Sequence, residues 1–118
     1  MSVHTRSQRL AQAAFARIAV YGKPDKDYTS FARKFPALIH TCGLAQAVAF
    51  ALAKKQKEYI EDLAAVLQAS GHPEASSAEA LQKQTHDQPL SLYLRLSRDA
   101  INAAGWLKRY VEVAGENE

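Results

Sequence analysis

Apolar positions follow a helical period along much of this chain. Between residues 28 and 42 they fall on one face of a 3.6-residue helix: Tyr28, Phe31, Phe35, Leu38, Ile39 and Cys42. Gly43 follows, where a left-handed glycine commonly ends a helix. From Leu44 to Ala53 the one polar residue is Gln46, and a helix that is apolar all round is buried on most sides. The pattern predicts two helices that meet at residues 41–43, with the second at the centre of the domain.

The segment after Gly43 is too short to cross a membrane. It holds about half of the residues that a bilayer-spanning helix needs, and no other apolar run is longer. The N-terminus also lacks the apolar stretch of a signal peptide. We therefore expect a core helix and no membrane association. Pro36 lies inside the preceding helix, which it should kink rather than end.

The remaining helices have recognisable ends. The first should run from Arg6 to about Tyr21 with Thr5 as its N-cap. The helix after Gly43 either continues to Gly71-His72-Pro73 or breaks near Lys55-Gln56, and the pattern leaves both open. Residues 76–79, Ser-Ser-Ala-Glu, form a capping box for a short helix to about Thr85.

The last helix is predicted to start near Asp87, with Pro89 in its first turn. Its buried stripe comprises Tyr93, Leu96, Ala100, Ala103, Ala104, Leu107 and Val111. Ala, Leu and Gln are abundant, and runs of β-branched residues are absent. With 118 residues, 47% of them hydrophobic, the chain predicts one all-α domain, residues 1–118. We expect a compact bundle of about five to six helices.

The charge is modest overall but unevenly distributed. The net charge is +3, although residues 1–34 alone carry seven basic and two acidic side chains. The tail at about 112–118 is acidic and contains no base, so it is a candidate to meet a basic face of another copy. A basic surplus suggests an anionic partner. The single cysteine excludes an internal disulfide and fits a reducing cytoplasm.

Basic side chains cluster on two helical faces. Arg6, Arg9 and Arg17 lie near one another on the first helix. On the last helix, one arc holds Arg95, Arg98, Asn102 and Arg109, bordered by Trp106. Basic residues beside an aromatic ring can bind single-stranded nucleic acid. The alternatives are a solvated face for the arginines and a packed position for Trp106, as is usual for tryptophan.

Candidate catalytic chemistry is sparse. His4, His40, His72 and His86 share no metal-ligand spacing with Cys42 or an acid. His40 and Cys42 point to different sides of a helix, so we expect a polar-face histidine and a buried small thiol. The acids Glu58, Glu61 and Asp62 alternate with lysines and are predicted to be solvated. We predict no catalytic residue, metal site or cofactor.

Two segments resemble a known protein family. KFPALIHTCGLAQAVAFALAKK is similar to the pattern Lys-x-Pro-x-x-Ile-x-x-x-Gly-Leu-x-x-x-x-x-Phe of the small helical subunit of Cmr-type (type III-B) CRISPR effector complexes. The matching positions are Lys34, Phe35, Pro36, Ile39, Gly43, Leu44 and Phe50. YLRLSRDAINAAGWLKRYVE resembles the C-terminal helix of that family, with Trp106, Leu107 and Lys108 as anchors.

The resemblance implies a non-catalytic structural subunit of an RNA-guided ribonucleoprotein in antiviral defence. Several copies would stack head to tail opposite the backbone subunits that hold the guide RNA, and would help to line the channel for target RNA. The expected partners are the other subunits of the CRISPR effector complex and copies of this chain.

Basic side chains would then contact phosphates without sequence preference. The candidates are Arg6, Arg9, Arg33, Lys34, Lys54, Arg98 and Arg109. The family pattern adds weight to Lys34 and Lys54. A stand-alone helical adaptor that binds protein and no nucleic acid is the alternative, because the same fold serves both functions.

Overall fold

Six helices form the part of the chain that the computed structural model describes, residues 4–116. They are α1 (Arg6–Ala19), α2 (Lys26–Cys42), α3 (Leu44–Ala53), α4 (Lys57–Ala69), α5 (Ala78–Asp87) and α6 (Leu90–Glu116). No strand occurs in this range. The all-α prediction and the expected number of helices are confirmed.

The long helix α6 lies along the bundle and packs on α1, α2 and α4. Its predicted apolar stripe is confirmed, since Leu96, Ala100, Ala103, Ala104, Leu107 and Val111 are buried. The helix begins later than predicted, at Leu90. Gln88 is extended (φ −75°, ψ 144°) because a residue before proline avoids the helical conformation. Pro89 therefore precedes the helix, and its carbonyl accepts the Tyr93 N–H at 2.9 Å.

The N-cap of α1 is Thr5, as predicted. Thr5 and Gln8 form a reciprocal capping box, and Asp25 accepts the Tyr28 N–H at 2.8 Å. Helix α1 ends at Ala19, two residues short of the prediction. Pro36 lies within α2, which continues to Cys42, as its apolar face predicted.

The prediction that α3 lies at the centre of the domain is wrong. Leu44, Ala47, Val48 and Ala51 are buried, but Phe50 remains 45% exposed. Helix α3 packs on α2, α4 and α5, so its remaining side faces outward. The alanines on that side expose little apolar surface, so their contact with water costs little free energy. The most deeply buried helix is α4, where the largest fully buried side chain, Tyr59, lies.

A tight turn separates α3 from α4 and resolves the question left open at Lys55-Gln56. Lys55 has a φ of +62°. Its N–H bonds to the Leu52 carbonyl, and the Gln56 N–H bonds to the Ala51 carbonyl at 2.8 Å. This pair of bonds is a Schellman motif, which usually has glycine in the left-handed position. Because lysine stands there instead, the sequence gives no clear signal for the break.

The cap of α5 also differs in detail from the prediction. Its N-cap is Ser77, which accepts the Ala80 N–H at 3.1 Å, rather than Ser76. Glu61 of α4 accepts the Ala78 N–H, so a second helix supplies part of the cap. Glu79, the expected capping-box acid, pairs with Lys57 at 2.6 Å.

The prediction that Glu58, Glu61 and Asp62 form a solvated face is wrong for Asp62, which is 1% exposed. Its Oδ2 accepts the hydroxyls of Tyr21 (2.6 Å) and Tyr28 (2.5 Å). Its Oδ1 accepts from Arg17 at 2.8 Å. These bonds give the buried charge the partners that it requires, and they join α1, α2 and α4.

Burial and the nearby carboxylate raise the pKa of Tyr28, which donates to Asp62 and lies in the core. The same two causes raise the pKa of Tyr21. Burial is also the main cause of the raised pKa of the fully buried Tyr59, and the charge of Asp62 is the second. All three phenols therefore stay protonated in the folded protein at neutral pH.

Candidate nucleic-acid interface

A groove lined mainly by residues of α2 runs along that helix. It has a volume of about 580 Å³. Its lining comprises Lys23, Pro24, Lys26, Thr29, Ser30, Arg33, Lys34, Val111 and Gly115. Lys26, Ser30 and Lys34 are spaced four residues apart, so they lie in one row on the same face of α2. Four basic side chains and no acidic side chain line this groove.

An acidic side chain nevertheless meets one edge of this groove. Glu112 of α6 lies 3.6 Å from Arg33, and the Arg33 side chain remains 59% exposed. Glu112 therefore has a basic partner within its own chain, so a contact with another copy is not required to pair its charge. Residues 117 and 118 lie outside the described residues. Because the Arg33 pair is exposed, it is weak, and the guanidinium remains available to another anion.

A second cavity, of about 350 Å³, opens on the other side of Lys34. Its lining is Asp27, Ser30, Phe31, Lys34, Phe50, Lys54 and Gln56. Ser30 and Lys34 line both cavities, so the two form one surface, which we call the α2 surface. It brings together three of the predicted site residues, Arg33, Lys34 and Lys54.

Two aromatic rings form the floor of the second cavity. Phe31 and Phe50 are nearly parallel, with an angle of 10° between planes and 6.4 Å between centroids. The Lys54 ammonium lies 5.6 Å from the Phe50 centroid, within the range of a cation–π contact. The sequence alone does not predict this pair, because its pattern predicts that α3 is buried on most sides. The family pattern, which includes Phe50, was the available signal.

The other predicted site residues lie outside both cavities. Arg9 on α1 and Arg98 and Arg109 on α6 are exposed. Arg98 and Arg109 are eleven residues apart and therefore share a face of α6. Arg6 lies 3.6 Å from the buried carboxylate of Asp99, so its charge is partly neutralised within the chain. The arginines of α1 do not form one free face, because Arg17 bonds to Asp62.

Asp99 also bonds to a histidine. His72 Nε2 lies 2.7 Å from Asp99 Oδ2, and both side chains are almost inaccessible to solvent. The sequence places them 27 residues apart, so only the packing of the α4–α5 connection on α6 reveals the pair. The contact fixes the orientation of the His72 ring next to Arg6.

A third aromatic group lies between α1 and α6. Trp106 stacks on Tyr110 with 5.9 Å between centroids, and Tyr110 meets Phe15 edge-on at 5.5 Å. Trp106 is partly buried against the core, in agreement with the expectation that it packs. Phe15 remains 59% exposed. These three residues form a surface with apolar character, which is typical of protein contacts.

Metal-ligating clusters and membrane-spanning helices are both absent from residues 4–116. No group of three or more His, Cys, Asp or Glu side chains has an arrangement that suits a metal ion. None of the helices is both long enough and apolar enough to span a bilayer. Cys42 is partly buried, and its thiol donates to the Leu38 carbonyl at 3.3 Å.

Comparison with known proteins identifies the family. The model of the CRISPR-associated protein family Cas_Cmr5 matches residues 6–114, which is nearly the whole described chain. The chain belongs to the Cmr5 family. The resemblance to the small subunit of Cmr-type CRISPR complexes, drawn from residues 34–50 and the C-terminal helix, is thereby confirmed.

Two similar proteins from Thermus thermophilus support the assignment. A protein described as CRISPR system Cmr subunit Cmr5 is 33% identical over 115 residues, covering 93% of this chain and 96% of the relative. The crystal structure of a CRISPR-associated Cmr5 family protein has a TM-score of 0.81 at 32% identity. It covers 93% of this chain and 97% of the other. The six-helix arrangement is therefore the fold of the Cmr5 family.

Proposed function

We propose that this chain is a non-catalytic structural subunit of a type III-B CRISPR ribonucleoprotein in antiviral defence. In this role it stacks in several copies and helps to line the channel for target RNA. The observation that carries the proposal is the α2 surface in a Cmr5 family member: a row that contains Lys26 and Lys34, next to one exposed aromatic ring, that of Phe50. RNA offers a regular series of phosphates to such a row.

The charges on this surface suit contacts to a nucleic-acid backbone. Lys26 and Lys34 are exposed, and no ion-pair partner is found for either among the described residues. Lys26 and Lys34 are eight residues apart, which is about 12 Å along the helix axis, or about two phosphate repeats of an extended strand, and Ser30 lies between them. Contacts of this kind bind any sequence, which suits a channel that accepts many targets.

The proposed role also requires surfaces for protein contacts. The aromatic group of Phe15, Trp106 and Tyr110 offers one on the side of α1 and α6. Partners in this proposal are the other subunits of the effector complex and further copies of the chain, with guide and target RNA held between them. The stand-alone adaptor would use the same aromatic group but would have no use for the basic row on α2.

Co-purification tests the proposal most directly. The chain would be tagged in its native host, and the bound proteins and RNA would be identified. The proposal expects other CRISPR proteins together with short RNAs of uniform length. Recovery of the chain alone, or with one unrelated protein and no RNA, would favour the adaptor instead.

Paired charge reversals then locate the RNA face. One variant carries Lys26→Glu and Lys34→Glu, and the other carries Arg98→Glu and Arg109→Glu, so each changes the net charge equally on a different face. The α2 variant should lower RNA affinity and reduce the salt slope of log K by about 0.7 for each lost phosphate contact. An unchanged affinity and unchanged assembly in the α6 variant would remove Arg98 and Arg109 from the interface. If neither variant binds RNA more weakly, the channel-lining role is incorrect.

A further inference from the structure

The exposure of Phe50 is unexplained by the packing of the fold. A phenylalanine at an exposed position keeps a large apolar area in contact with water, which burial would remove. Phe50 is 45% exposed although α3 is almost entirely apolar. Its ring is also fixed, since Phe31 lies parallel to it and Phe31 in turn contacts the buried rings of Phe35 and Tyr59.

The groups around Phe50 have the composition of a nucleotide site. Lys54 and Lys34 supply two ammonium groups at the cavity edge, while Ser30, Gln56 and Asp27 supply hydrogen-bonding groups. The volume of about 350 Å³ exceeds that of one nucleobase. Proteins that bind single strands combine basic side chains with aromatic rings on which bases stack. The two lysines favour an anionic ligand over an apolar protein segment, and the exposed ring beside them favours nucleic acid over an acidic segment.

We propose that the Phe31–Phe50 cavity is a stacking site for one unpaired base of single-stranded RNA. This inference rests on the proposed function and adds to it, because phosphate contacts alone need no aromatic ring. The base lies on the exposed part of the Phe50 ring. Lys34 and Lys54 then contact the phosphates on either side of that nucleotide.

Lys54 has a second role in this site. Without RNA its ammonium lies near the Phe50 ring, at 5.6 Å from the centroid. The flexible lysine side chain moves from the ring to a phosphate when a base arrives, so one cation–π contact is exchanged for an ion pair and a stacking contact. The two lysines therefore have different roles. Lys34 contributes charge alone, whereas Lys54 also covers the Phe50 ring in the free protein.

The test compares two oligonucleotides that differ only in their bases. Fluorescence anisotropy would measure binding of the full chain to a labelled single-stranded oligouridine and to an abasic oligomer of equal length, at low salt. Phe50→Leu keeps an apolar side chain but removes the ring, and Phe50→Tyr keeps the ring. Phe15→Leu serves as the matched control, because Phe15 is another exposed ring that lies outside the cavity.

Stacking predicts that Phe50→Leu lowers the affinity for oligouridine by about 5- to 150-fold, the range measured for loss of one stacked base. Its affinity for the abasic oligomer should be unchanged, Phe50→Tyr should bind as wild type, and Phe15→Leu should have no effect. Lys34→Ala should weaken binding of both oligomers equally. Ultraviolet cross-linking of oligouridine should label the peptide that contains Phe50.

Each other result overturns the proposal in a distinct way. If wild type binds both oligomers equally and Phe50→Leu binds like wild type, stacking is wrong but phosphate binding stands. If wild type binds neither oligomer, both this inference and the RNA-lining function are wrong. If Phe50→Leu leaves RNA binding intact but weakens association with another subunit or with a second copy, the cavity holds a protein segment instead.

Discussion

Replacing the buried carboxylate of Asp62 by an amide should strongly destabilise the fold. Asp62→Asn preserves the size of the side chain, so no cavity forms and the effect is electrostatic. The amide loses the negative charge next to Arg17, and its NH2 group cannot accept a hydrogen bond. The amide oxygen can take the place of only one carboxylate oxygen. Either the two tyrosine hydroxyls at Oδ2 or the Arg17 guanidinium at Oδ1 then loses its acceptor.

The size of the expected loss in stability depends on how deeply each partner of the ion pair is buried. Removing one member of a buried ion pair costs about 3–5 kcal/mol. The Arg17 side chain is 45% exposed, so the released guanidinium regains water and the lower limit, about 3 kcal/mol, applies. This is a large part of the roughly 5–15 kcal/mol that typically stabilises a domain. For a domain of this size it corresponds to a decrease in Tm of about 10–15 °C.

Urea unfolding followed by circular dichroism would measure this change. Asp87→Asn is the matched control, because Asp87 is exposed at the end of α5 and the same substitution there should alter stability by less than about 0.5 kcal/mol. A loss below about 1 kcal/mol for Asp62→Asn would contradict the reasoning. It would mean that the three donors find other partners, and that the carboxylate does not hold the helices together.

Three further changes test other parts of the fold. Gly43→Ala should lower the free energy of unfolding in urea by about 1–3 kcal/mol, because φ +85° and ψ 161° are accessible to glycine alone, although the added methyl group would have room. Lys55→Gly should be neutral or stabilising, because Lys55 has a positive φ. If Lys55→Gly destabilised the protein more than Gly43→Ala, the backbone argument would be refuted. The free energy of unfolding should be constant up to about pH 10 and then fall, by at most about 1.4 kcal/mol per pH unit for each tyrosine. The reason is that the pKa of Tyr28 is raised in the folded state, so above pH 10 the phenol ionises in the unfolded chain while it stays protonated in the folded one. Tyr28→Phe should make that decrease shallower, and an identical pH slope would exclude Tyr28 as a cause. Ser77→Ala should lower the free energy of unfolding by about 1 kcal/mol through loss of the α5 cap. An unchanged melting temperature would mean that Glu61 alone is enough to cap α5.

Local signals made most of the helices predictable from sequence. The capping residue Thr5 and the glycine at 43 act within a few residues, so the local sequence contains the whole interaction. The apolar stripe of α6 is equally local, because a period of 3.6 residues defines a face without reference to its neighbours. The break between α3 and α4 was not predictable in this way, since Lys55 adopts a conformation that its side chain does not favour.

Long-range partners account for what the sequence could not reveal. The alternation of acids with lysines around Asp62 predicts a solvated residue, yet Asp62 is buried. Its partners are 34 to 45 residues away. In the candidate site, too, single residues were predictable but their long-range contacts were not. Lys34 and Lys54 were predicted from charge and family pattern, whereas their meeting around Phe50 depends on how α2 and α3 pack.

The position of α6 in the chain has a consequence for synthesis. This helix packs on α1, α2 and α4, yet its residues leave the ribosome after those of α1 to α5. Until they emerge, the apolar side chains of the earlier helices that face α6 lack their cover, and exposed apolar surface of this kind promotes aggregation. The bundle therefore completes its core after translation of residue 111, and a chain that stops before Leu96 should be degraded or aggregate rather than accumulate as a smaller folded subunit.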